Sequence, residues 1–117
     1  MSDTNAAAQA AYLQSLSAAV QTAQSAFFAA AAVAQPADQN TLKLLMAALD
    51  HTKAAYASAL SESLVSDNDF VKSEQTALDA QVSAVNAQLA TLQDIAQWLK
   101  LVGDLAKLAG SLATAFG

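Results

Sequence analysis

Apolar residues recur three and four apart along almost the whole chain, the period of a helix that buries one side. In the first third, Leu13, Leu16, Val20, Ala23, Phe27 and Ala31 fall on one stripe and predict a helix over about 5–34. "QPADQN" at 35–40 ends it, because proline disfavours helix at the residue before it and suits the first turn of the next one. A second helix follows from Asp38 or Asn40 to Leu64, with Leu42, Leu45, Leu49, Thr52, Tyr56 and Leu60 on its inner side.

"LVSDNDF" at 64–70 reads as a helix start. Ser66 would cap the new helix, Asp69 would reach back to complete a capping box, and Val65 with Phe70 would staple the entry. Asp67, Asn68 and Asp69 do not make a calcium loop, since the glycine and distal glutamate of that loop are missing.

The third helix, over about 67–101, has the most regular pattern: Leu78, Val82, Val85, Leu89, Leu92, Ala96 and Leu99 alternate four and three apart. That is a coiled-coil seam. Short connections make successive helices antiparallel neighbours. The prediction is therefore an all-α, single-domain chain over 1–117: an up-down-up bundle of three long helices with coiled-coil-like packing, plus a C-terminal helical piece.

That last piece, over about 104–116, differs from the rest. Trp98, Leu101, Leu105, Leu108, Leu112 and Phe116 form a bulky stripe, while Ala96, Gly103, Ala106, Gly110 and Ala113 form rows of small residues suited to close helix packing. Gly117 extends one of those rows. Between the apolar faces runs a polar line of Gln93, Gln97, Lys100, Asp104, Lys107, Ser111 and Thr114, on which Asp104 can pair with either lysine. A helix apolar on two sides needs more than one packing surface. Three arrangements supply it. The tail can break near Gly103, with Asp104 as a cap, and fold back as a short fourth helix. It can run straight on, giving a helix of about 70 Å whose end pairs with another subunit. Or it can meet a membrane, with Trp98 near the headgroups.

Composition strengthens the helical reading. Thirty-one of 117 residues are alanine, against three glycines and one proline, which favours close-packed helices over strands. Charge narrows the partners. Ten acidic residues outnumber five lysines, arginine is absent, and the lysines do not cluster, so nucleic acid is not an expected partner. Without cysteine there is no disulfide or thiolate chemistry. The N-terminus lacks the basic and apolar regions of a secretory signal, so the chain is expected in the cytoplasm or to leave by a route that needs no leader.

No simple membrane span is expected. "AFFAAAAVA" at 26–34 is only nine residues, and Lys100, Asp104 and Lys107 interrupt the tail. The first helix is nonetheless unusual, having no charge between Asp3 and Asp38 where a solvent-facing helix normally carries Lys and Glu. Either its outer side is merely polar, or neighbours cover it.

No catalytic, cofactor-binding or metal-binding constellation emerges. His51 falls on the outer side of the second helix among alanines, and the carboxylates are scattered singly. No phosphate loop or nucleophile motif occurs. The expected function is that of a non-enzymatic interaction or assembly protein. It would self-associate or bind a helical partner through the face of Trp98, Leu101, Leu105, Leu108, Leu112 and Phe116. The alternatives are a membrane-active component of a pore-forming system and an amphipathic coat on a hydrophobic surface. The tail's net charge of plus one, from two lysines and one aspartate, gives little attraction to anionic lipid.

Overall fold

A computed structural model describes residues 2–65, 67–91 and 94–116, with side chains described from Ala6 onward. Four helices pack against one another: α1 Ser2–Val33, α2 Gln39–Leu60, α3 Asp69–Gln88 and α4 Ile95–Ala113. A short 3-10 turn, Pro36–Asp38, joins the first two. Helix α1, about 48 Å long at 1.5 Å per residue, sets the long dimension of a particle measuring 53 × 23 × 18 Å.

The α1–α2 break follows the sequence rule. Gln35, ahead of Pro36, is extended, and its N–H donates to the Asp38 carboxylate at 2.9 Å. The α2–α3 break differs from expectation. Asn68 caps α3, its Oδ1 accepting from the Val71 N–H at 3.0 Å. Ser66, the expected cap, lies outside the described residues. With the cap at Asn68, Val65 and Phe70 no longer occupy the positions that a staple joins, and both are exposed. Helix α2 also stops four residues early. Leu60 is left outside, while Leu64 turns inward to bridge Phe116.

The largest correction concerns the helix expected over 67–101. It is two helices, α3 ending at Gln88 and α4 starting at Ile95. The seam therefore does not continue through 89–94, and Leu92 of that seam lies outside the described residues. Asp94 is the reason in the sequence: its carboxylate accepts from the Ala96 N–H at 3.0 Å and caps α4. The fold-back thus begins at Asp94 rather than near Gly103, and both Gly103 and Asp104 sit inside α4.

Helix α4 packs on all three others, most extensively on α2, and α1 likewise touches all three; α2 and α3 share no comparable face. The centre holds Trp98, Leu16, Leu45, Leu78, Leu105 and Leu112, all fully buried. Around them α1 contributes Ala19, Ala23, Ala26 and Ala30, which let it approach closely. Among the described residues three polar side chains are buried, and each has a hydrogen-bond partner. Ser15 accepts from Gln75 Nε2 at 3.2 Å, Thr22 donates to Asn86 Oδ1 at 3.5 Å, and Thr52 donates to the Ala48 carbonyl at 2.9 Å. Among the described residues no buried side-chain nitrogen or oxygen lacks a partner.

One end of the bundle is tied by the α2–α3 connection. The Leu64 N–H donates to Gln9 Oε1 at 3.0 Å, and the Val65 N–H donates to the Ala115 carbonyl at 2.8 Å. Tyr12, buried on α1, donates its hydroxyl to the Asp67 carboxylate. Burial, and then the hydrogen bond to Asp67 and its charge, push the Tyr12 phenol up to about 12. The connection therefore holds α1 and the chain end together.

Candidate interaction surface

The six residues expected to face a partner are largely inside the protein. Trp98, Leu105 and Leu112 are fully buried, Phe116 is buried at the end of the bundle, and Leu101 and Leu108 are half-buried against the same core. Ile95, Val102, Ala106 and Ala109 on other sides of α4 are buried too. Two apolar faces are needed because α4 meets three helices. The Gln81 side-chain amide, donating to the Leu101 carbonyl at 3.0 Å, adds a polar tie to α3.

The small residues divide. Ala106 is buried, and at Gly110 an added Cβ would lie 3.1 Å from His51 Nε2, so α4 and α2 approach closely there. Ala113 is half-buried against the core. Ala96 is exposed, and an added Cβ at Gly103 would meet nothing within 4 Å, so these two do not mediate close packing. A pair of substitutions separates the two glycines. Gly103→Ala, inside a helix with open space around it, is expected to raise stability by about 0.5–1 kcal/mol. Gly110→Ala, which must push the His51 ring aside, is expected to gain less or to lose. Thermal unfolding of both variants beside the parent chain checks the order.

His51 is exposed at the rim of an open cleft of about 390 Å³ lined also by Ala54, Ala55, Ser58, Gly110, Ala113, Thr114 and Phe116. It is the sole titratable side chain in that lining. Among the described residues no group of three or more His, Cys, Asp or Glu could hold a metal ion.

With the tail stripe occupied, the apolar residues still open to contact lie on the outer surface. Phe28, Val33, Leu44, Met46, Leu60, Val65 and Phe70 are large apolar residues left exposed. Phe27 and Phe28 pack edge to face, ring centres 6.1 Å apart, near the α1–α2 turn. Beside them a groove of about 300 Å³ is lined by Phe27, Gln39, Leu42, Lys43 and Met46.

Helix α1 stands out by its lack of charge. Its segment Ala6–Val33 carries no charge, and an 18-residue window within it reaches a mean hydropathy of 1.3 while only a third of that window is buried. By length and composition this segment is long and apolar enough to cross a membrane, contrary to the expectation that no segment is. The short apolar run at 26–34 understated it, because the Gln, Ser and Thr between the alanines lower hydropathy far less than charges would. The core helix of a water-borne protein meets the same criterion.

No protein-family model, no curated protein and no solved structure matches the chain, so its surfaces carry the functional reading.

Proposed function

We propose that the chain is a non-enzymatic helical assembly protein that acts by self-association or by binding a helical partner. The observation that carries this reading is the outer side of α1: uncharged from Ala6 to Val33, largely exposed, and flanked by Phe28 and Val33. A surface helix that meets only water normally carries Lys and Glu there. Association through the tail stripe is replaced in this reading by association through α1, because the tail's bulky residues are used by the chain's own core. The finer architecture belongs to the same proposal: four helices alternating in direction, with coiled-coil-like seams. The short connections support it, as do the Ser15–Gln75 and Thr22–Asn86 pairs, which advance together along α1 and α3.

Sedimentation velocity of the full chain over a wide range of concentrations tests the proposal. A mass that rises with concentration is expected; a monomer throughout contradicts self-association. The second reading, membrane activity or a coat on a hydrophobic surface, draws on the length and hydropathy of α1. Its mark is flotation of the chain with lipid vesicles.

A further inference from the structure

The groove beside the α1–α2 turn is apolar along its floor and cationic at its edge. Phe27 and Leu42 are half-buried against the core, so packing that the bundle already needs holds the floor in place. Met46, 42 % exposed, adds an adaptable apolar wall. Gln39 and Lys43, both exposed, complete the lining. On α2, Gln39 and Lys43 form one row and Leu42 and Met46 the next, each pair four residues apart. A polar row and an apolar row thus run side by side, and Phe27, edge to face with Phe28, supplies the α1 side.

We propose that this groove binds a free medium-chain carboxylate, with the acyl chain on Phe27, Leu42 and Met46 and the carboxylate at Lys43 and the Gln39 amide. The inference goes beyond the assembly reading and does not depend on it.

Charge selects the head group. The chain has ten acidic residues, yet Lys43 forms no ion pair or hydrogen bond with another described residue. The nearest acid along the chain, Asp38, accepts from the Gln35 N–H instead. An ammonium without a partner beside apolar surface suits a ligand that is apolar along its length and negative at one end. The Gln39 amide can donate a second hydrogen bond, so both oxygens of a carboxylate can be met.

Size selects the tail. The groove measures about 300 Å³, the lower limit of ligand-sized pockets. A methylene takes up about the 30 Å³ of a water molecule, which gives room for about ten. One medium-length chain fits; the two long chains of a membrane phospholipid do not. A single lysine also gives little hold on an anionic bilayer.

Decanoate, kept below the concentration at which it forms micelles, is the probe, and NMR of the full chain reads the methyl signals of Leu42 and Met46. Saturable shifts are expected at those methyls. Decanol has the same chain without the charge and acetate the charge without the chain, and each is expected to bind about tenfold more weakly or worse. Lys43→Glu is expected to weaken decanoate binding about tenfold or more and to take decylammonium in its place. Met46→Asp, which sets a competing carboxylate beside Lys43 and breaks the apolar row, is expected to weaken decanoate binding similarly. Both positions are exposed, and circular dichroism verifies that the variants fold. Decanol binding as tightly as decanoate, or Lys43→Glu binding decanoate undiminished, overturns the proposal. So do shifts that never saturate or that centre on other parts of the chain. A parent chain that binds no decanoate overturns it as well, and leaves the assembly reading to be decided by sedimentation.

Discussion

Trp98→Ala is expected to lower the unfolding temperature by about 15–30 °C, and in dilute solution to leave much of the chain unfolded. Trp98 is fully buried at the start of α4. Truncating a buried tryptophan removes its transfer free energy and leaves a cavity, which together cost about 3–5 kcal/mol. A domain of this size is stable by only about 5–15 kcal/mol, and each kcal/mol shifts the midpoint by several degrees. Leu44→Ala serves as the control. Leu44 is large and apolar but exposed, and its loss is expected to change stability by no more than about 0.5 kcal/mol. Thermal unfolding followed by far-UV circular dichroism compares the two. Equal, small effects would mean that Trp98 is not packed as described.

The second large effect concerns the whole of α4. A chain ending at Asp94 is expected to lose its cooperative unfolding transition and to bind a hydrophobic dye. Such a chain lacks Ile95, Trp98, Val102, Leu105, Leu112 and Phe116, all buried. At about 1.5–3 kcal/mol for each large side chain, their burial amounts to about 9–18 kcal/mol, as much as the stability of the entire domain or more. The inner sides of α1, α2 and α3 would face water as well, since α4 packs on each of them. A truncated chain that still melted cooperatively would show that residues 1–94 form a bundle of their own and that the tail is an appendage. Calorimetry and dye binding distinguish these results.

Most of the helical character is legible in the sequence, and the reasons are local. Pro36 marks the first break because its effect on Gln35 is a matter of sterics within two residues. The inner positions of α2 at Leu45, Leu49 and Thr52, and of α3 at Leu78 and Val85, are read correctly because they recur at helical spacing, three, four or seven apart. The core side of α1 is harder. Leu16 and Ala23 are buried as expected, but Ala31 is exposed, and Tyr12, Ala19, Ala26 and Ala30 hold the centre instead. When alanine occupies both sides of a helix, periodicity no longer distinguishes inside from outside.

The break before α4 is missed for a different reason. Leu89, Leu92, Ala96 and Leu99 keep the seam spacing across it, so the pattern alone favours continuity. Asp94 just ahead of Ile95 and Ala96 is a cap signal inside that pattern, and it decides the outcome. The same break settles where the tail stripe goes. Its two apolar faces are visible in the sequence; that three helices of the same chain would cover them is a tertiary fact. The outer side of α1 carries a signal that is legible in the sequence, the absence of charge between Asp3 and Asp38.

The tail stripe belongs to the protein's own core. The most direct measurement uses the single tryptophan, Trp98: its fluorescence emission in buffer at low protein concentration, and again after lipid vesicles are added. A blue-shifted emission is expected, shielded from a water-borne quencher and unchanged by vesicles. A red emission that moves to the blue when vesicles arrive would contradict it, because the stripe would then have been waiting for lipid.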